Sequence, residues 1–233
     1  MTAKGADSAQ VKQHSETAKQ TLTHAPKILP AEVMRAGKKM FLASGSLEMR
    51  ALARQLGVGR ATLYRWNGSR EQLLGEVLLS LALNNLKRAE ADIATEPGPG
   101  RLCDVHDLHL SRISDNASLR RFVRLEPEVA MRVLLDANGH VHVGITRALA
   151  HFIRGQETAS GWRAPIGADG LAAVVSRLSE TFIYGDLIAR AEPDVATPGV
   201  ILRMMLGLVA PHSGAESPSV RSPIEPGRAR LLV

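Results

Sequence analysis

The chain has 233 residues, 45% of them hydrophobic and only 3% aromatic, with a formal charge of +6 and a sequence pI near 9.9. Its single cysteine, Cys103, excludes an intramolecular disulfide and suits a reducing compartment. No apolar run approaches the ~20 residues needed to span a bilayer, and no long stretch alternates with period two, so an all-α chain is expected.

Residues 1–27 are polar and weakly basic and lack the apolar core of a secretion signal. They are expected to be a disordered tail of a cytoplasmic protein. Residues 46–74, SLEMRALARQLGVGRATLYRWNGSREQLL, carry the most information. Met49, Leu52, Ala53 and Leu56 recur at helical spacing, and Gly57 ends that helix because glycine takes the left-handed conformation without steric cost. A second short helix runs from about Arg60 to Trp66. Its Ala61 and Leu63 can face inward while Arg60, Thr62, Tyr64 and Arg65 face outward. Cations, a hydroxyl and a phenol together suit phosphates and base edges. The pattern is a helix-turn-helix whose second helix would enter a DNA major groove.

Ser69, with Gln72 three residues on, makes a capping box that starts a long helix over 69–95. EPGPG at 96–100 breaks it. Helices are then expected over Leu102–Ser114, Ser118–Leu135 with an interruption at Pro127, and Val141–Arg154. GQETASGWRAPIG reads as a loop, followed by helices over Ala168–Ala191 and Thr197–Val209. The penultimate helix carries a stripe of Leu171, Val174, Val175, Leu178 and Phe182, and the last one Ile201, Met204, Met205 and Leu208. Residues 211–233 are rich in Pro, Ser and Gly and are expected to be a second disordered tail.

Charge is unevenly placed. Between Ala31 and Arg70 eight cations face two acids, an excess equal to that of the whole chain. A basic reader of nucleic acid is the natural interpretation. The spelling is more specific still. AEVMRAGKKMFLASG, MRALARQLGVGRATLY and GSREQLLGEVL resemble the first helix, the helix-turn-helix and the start of the fourth helix in the DNA-binding domain of TetR-family regulators. That resemblance implies a three-helix DNA-binding domain at 28–68 and a helical ligand-binding and dimerisation domain at 69–210.

The resemblance also implies a mechanism. A homodimer, held by the two C-terminal helices of each subunit, would set two recognition helices into successive major grooves of a palindromic operator. Arg60 and Thr62 would lie near bases or phosphates, Tyr64 on a phosphate, and Arg50 on a base or the backbone. Arg65 and Trp66 complete the expected DNA-facing set. Arg70 and the amides opening the long helix would hold a phosphate. Three positions depart from the family's usual spelling: Gly59 and Glu48 at helix caps, with Ser46 able to take over from Glu48, and Asn67 in place of an aromatic residue.

TetR-like regulators release DNA when a small molecule enters the helical domain. His109, Ile113, Phe122, Leu125, Phe152, Trp162, Phe182 and Tyr184 are the expected lining here. Leu110 and Met131 are further apolar candidates, and Arg124, Glu126 and Asn138 further polar ones. RFVRLEPEVAMRVLL, with Y-R-W-x-G-S-R-E-Q-L-L, is similar to the quorum-signal-degradation branch of the family, which implies a lactone, or an acid derived from one, as effector. Repression and activation use the same DNA reader. No cofactor and no membrane partner are expected.

Other classes fit less well. G-x-S-x-G and H-E-x-x-H are both absent, which leaves a hydrolase without its usual nucleophile or metal motif. His106, Asp107 and His109 have a spacing that could bind a metal on one helix face, against the simpler reading of a solvated polar helix. Cys103 could sense oxidants, but a buried, idle thiol is the simpler reading.

Overall fold

The computed structural model describes residues 31–208, and every regular element among them is helical. The two expected tails, and the end of the last predicted helix, lie outside the described residues. Helices α1 (Ala31–Ser44), α2 (Met49–Leu56) and α3 (Arg60–Asn67) precede the long α4 (Arg70–Asp92). Then come α5 (Pro99–Ser114), α6 (Ala117–Leu125), α7 (Pro127–Leu134) and α8 (His140–Ser160). The chain closes with α9 (Gly167–Glu180), a π-helical turn (Thr181–Gly185), the short α10 (Asp186–Ile188) and α11 (Ala196–Met205).

Local chemistry sets most of these boundaries. Ser69 Oγ accepts the Gln72 N–H, as the capping box requires. Gly57 has φ 66°, and the N–H groups of Gly57 and Val58 return to the carbonyls of Arg54 and Ala53, so the turn between α2 and α3 satisfies the orphan carbonyls of α2. Pro99 and Pro127 each occupy a first helical turn, where the missing N–H costs nothing. Thus α5 starts earlier than expected, and Pro127 ends one helix by starting another. Helix α8 outruns expectation by six residues: GQETAS stays helical until Gly161, at φ 76°, stops it.

Two apolar cores result. One unites α1–α3 with α4, α6 and α7 through residues such as Val33, Phe41, Leu52, Leu63, Leu73, Val77 and Phe122. The other joins α5, α8, α9 and α11 through Leu102, Cys103, Ile153, Leu171, Val175 and Leu202. Helix α4 contributes to both, packing on α1 at one end and on α5 and α8 along its length. The first core does not stop at the end of α3, and α6 packs directly on α1.

Candidate nucleic-acid interface and effector cavity

Met49, Leu52 and Ala53 bury one face of α2, and Leu63 and Asn67 bury one face of α3. The opposite face of α3 presents Arg60, Ala61, Tyr64 and Arg65 to solvent. Positions i, i+1, i+4 and i+5 form one continuous helical surface. Ala61 therefore faces outward, contrary to expectation, while Thr62 is half-buried. Trp66 is also half-buried and leans on the first core. Arg50 and Arg54 extend the basic surface along α2, and among the described residues neither they nor Arg60 has an ion-pair partner. Neither departure at a cap is repaired by a side chain: Glu48 and Gly59 are the N-caps of α2 and α3, and neither helix receives a side-chain cap bond. Asn67 is fully buried; its amide donates to the Leu63 carbonyl at 2.8 Å, and its Oδ1 has no partner.

Arg70 differs most from expectation. Its Nε donates to the Leu47 carbonyl at 2.7 Å, and its two terminal nitrogens meet the two Glu126 oxygens at 2.6 and 2.7 Å. The bond to Glu126, partly offset by burial, raises the guanidinium pKa above its ordinary value. A side chain expected on phosphate thus ties the loop before α2 to the junction of α6 and α7. Two other contacts strengthen that joint. Ser118 Oγ donates to the Leu42 carbonyl at 2.7 Å, and the Phe41 and Phe122 rings meet edge to face at 5.8 Å.

Beneath the joint lies a narrow cavity of about 50 Å³ between α4, α5, α8, α9 and the π turn. That is room for a few waters. His109, Ile113, Phe152 and Tyr184 come together on its wall, with Leu110 beside them. Phe122, Leu125, Trp162 and Phe182 do not. Phe122 belongs to the joint. Leu125 ends α6 and is 58% exposed, because the break at Pro127 leaves it outside either packed face. Trp162 follows the extended α8 and packs against the second core. The π turn slips the helical phase, so Ile183 and Tyr184 turn inward while Phe182 is only half-buried. Met131, Arg124 and Asn138 are exposed, and Glu126 is committed to Arg70.

The polar part of the wall was less legible. His109 Nδ1 accepts from the Asn85 amide at 2.9 Å, which leaves its Nε2–H as a donor without a partner among the described residues. Burial first, then the nearby His106 and Arg112, push its pKa down to about 3, so the ring is neutral. The Tyr184 hydroxyl likewise has no partner among the described residues, and burial raises its pKa. His106 Nε2 donates at 2.9 Å to Ser179 Oγ, whose own proton goes to the Val175 carbonyl. His142 Nδ1 meets Glu180 at 2.7 Å, and burial outweighs that partner and raises the carboxyl pKa. His106 and His109 are therefore buried rather than solvated. Their i, i+3 spacing was the available signal, but Ser179 and Glu180 lie on another helix. Among the described residues no group of three His, Cys, Asp or Glu side chains is placed to hold a metal. Cys103 is buried, and burial pushes its thiol pKa up to about 11.

A second, wider cleft of about 690 Å³ opens between α1, α4, α5 and α6 and shares Ile113, Val141 and Tyr184 with the first. Helices α9 and α11 pack together, and Val174, Val200, Met204, Met205 and Leu208 on and just beyond them are exposed.

The helix-turn-helix, the cavity and the order of the helices can be compared with known proteins. A family model described as "Tetracyclin repressor-like, C-terminal domain" matches residues 97–207. The transcriptional repressor QsdR of R. erythropolis, from the TetR family, superposes with a TM-score of 0.71 at 26% identity, over 78% of this chain and 96% of that one. Residues 97–207 carry a TetR-type C-terminal domain, and the fold is that of a TetR-family transcriptional regulator. Within that family it is QsdR-like. FadR of Bacillus halodurans matches at 13% identity and TM-score 0.48, over 77% of this chain and 98% of its own. FadR of Bacillus subtilis, solved with stearoyl-CoA, matches at 14% identity and TM-score 0.48 over the same shares. No curated protein matches the chain. Among the described residues no helix is long and apolar enough to cross a membrane.

Proposed function

We propose that this chain is a cytoplasmic, non-enzymatic TetR-family repressor that grips a palindromic operator as a homodimer and lets go when a small molecule enters the helical domain. The observation that carries this reading is the exposed face of α3, where Arg60, Tyr64 and Arg65 stand together on a basic helix-turn-helix. The DNA-binding set is Arg50, Arg60, Thr62, Tyr64, Arg65 and Trp66, on a reader domain of residues 28–68. Arg70 acts one layer further in, holding the reader to α6 and α7. The apolar surface of α9 and α11 supports dimerisation through a four-helix interface.

A lactone, or the acid formed on opening its ring, is the effector class favoured by the resemblance of RFVRLEPEVAMRVLL to the quorum-signal-degradation branch. On this reading the regulator acts in quorum-signal turnover. To release DNA, the ligand must bind the DNA-free form more tightly than the DNA-bound form. Selection of genomic fragments by the purified chain tests the reading. It predicts enrichment of a palindrome whose half-sites lie about one helical turn, 34–36 Å, apart. Enrichment without a shared sequence would instead mark a non-selective DNA binder.

A further inference from the structure

The inner cavity and the outer cleft differ in chemistry yet share a partition of Ile113, Val141 and Tyr184. The inner wall is mainly aliphatic and aromatic. The outer cleft holds Lys38, Arg88, Arg112 and Asp92. Arg112 and Asp92 pair at 2.6 Å and cancel. Lys38 donates at 2.7 Å to the neutral hydroxyl of Ser80, and Arg88 has no ion-pair partner among the described residues. Two uncompensated cations therefore face the cleft, where an anion would gain charge-assisted hydrogen bonds.

The partition itself is polar at one point. Tyr184 is 8% exposed, and its hydroxyl is unpartnered among the described residues on the wall common to both spaces. His109, 6% exposed, offers a second unpartnered donor to the inner cavity. A ligand that crosses the partition would meet these groups with a hydroxyl or carbonyl. The inner space, at about 50 Å³, admits the slender end of an alkyl chain but not a ring.

Resting on the ligand-released reading above, we infer that the effector is the open-chain anion and not the closed lactone: a medium-chain hydroxycarboxylate with its carboxylate in the outer cleft facing Lys38 and Arg88 and only the end of its alkyl tail reaching the inner cavity. A neutral lactone could accept a hydrogen bond from either cation but would leave both charges uncompensated. The placement also gives the ligand a direct handle on the reader. Lys38 belongs to α1, and its bond to Ser80 ties α1 to α4. A carboxylate competes for that ammonium and so loosens the tie from which the reader takes its position.

Calorimetry on the full chain at neutral pH, with 4-hydroxydecanoate, γ-decalactone and 1-decanol as separate titrants, tests this. The hydroxycarboxylate is expected to bind at least about tenfold more tightly than the lactone, with an affinity that falls as salt rises. Arg88→Glu, on an exposed side chain, and Lys38→Met are each expected to weaken its binding about tenfold while moving decanol binding less than about twofold. Circular dichroism of both variants checks the fold. Equal or tighter binding of the lactone, or indifference of the hydroxycarboxylate to both substitutions, overturns the inference and leaves the repressor reading in place. Failure of all three titrants overturns it too, and operator selection by the same preparation then shows whether the regulator reading has also failed.

Discussion

Arg70 and Glu126 meet as a two-pronged pair, both guanidinium ends on both carboxylate oxygens, with the third nitrogen of Arg70 on the carbonyl of Leu47. One side chain thereby spans the loop before α2 and the α6–α7 junction. Each partner is about a quarter exposed, with side-chain exposures of 26% and 25%, so the pair lies between a surface and a buried ion pair. Removing either partner should cost about 1–2 kcal/mol. Arg70→Lys should cost nearly as much as Arg70→Ala, because an ammonium cannot reproduce the fork. A double-mutant cycle with Glu126→Gln, read by urea melts, should give a coupling near 1 kcal/mol or more. Additive losses would mean that the two residues act separately.

The outward face of α3 predicts two different defects in DNA binding. Tyr64→Phe should weaken operator binding with fold and dimer intact, since only a hydroxyl is lost. Arg60→Ala should lower the slope of log affinity against log salt by about one if the guanidinium neutralises a phosphate. Anisotropy titrations over a range of salt concentrations measure both. Unchanged affinity for Tyr64→Phe would put the recognition surface elsewhere.

His109 makes stability depend on pH. In the unfolded chain its imidazole ionises near 6.5, whereas in the folded chain burial holds it neutral down to about 3. Below pH 6.5 the unfolded chain therefore takes up a proton that the folded chain refuses. Stability falls as pH drops through that window, by about 1.4 kcal/mol per unit. His109→Gln removes this contribution. Between pH 7 and pH 5 the wild type should lose about 2 kcal/mol more than the variant in urea melts. Parallel losses would show that His109 is solvated.

Dimerisation needs a substitution more careful than a truncation. Cutting after Ile188 removes Leu202, which is fully buried, and Arg203, which bonds Asp107 at 2.5 Å and Asp104 at 3.0 Å. Lost dimer and lost fold would then be confused. Met204→Glu or Val174→Arg instead places a charge on the exposed apolar face and leaves the core alone. Sedimentation should show a folded monomer at micromolar concentration, and a persistent dimer would move the interface off α9 and α11.

What the sequence disclosed follows the range of each interaction. Gly57 and Ser69 act on backbone groups within four residues, so their turn and cap were legible. Arg70 was misread because its partner lies 56 residues away, and nothing nearby distinguishes a phosphate ligand from an internal clamp. Apolar periodicity separates inside from outside only while the helix keeps its phase. Val174 and Val175 are adjacent, yet one is exposed and the other fully buried. The π turn at Thr181–Gly185 then brings Tyr184 to the cavity in place of Phe182. Phe122 shows a related limit: a buried aromatic can line a cavity or lock two helices, and the Phe41 ring across from it decides the matter.

The most direct test of a selective DNA reader is fluorescence anisotropy with labelled DNA from upstream of this protein's own gene, titrated in parallel with a shuffled fragment of equal length and composition. A repressor that reads its operator through α3 should prefer the native fragment strongly and lose that preference on Tyr64→Phe. Equal binding to both fragments, unaffected by Tyr64→Phe, would contradict it.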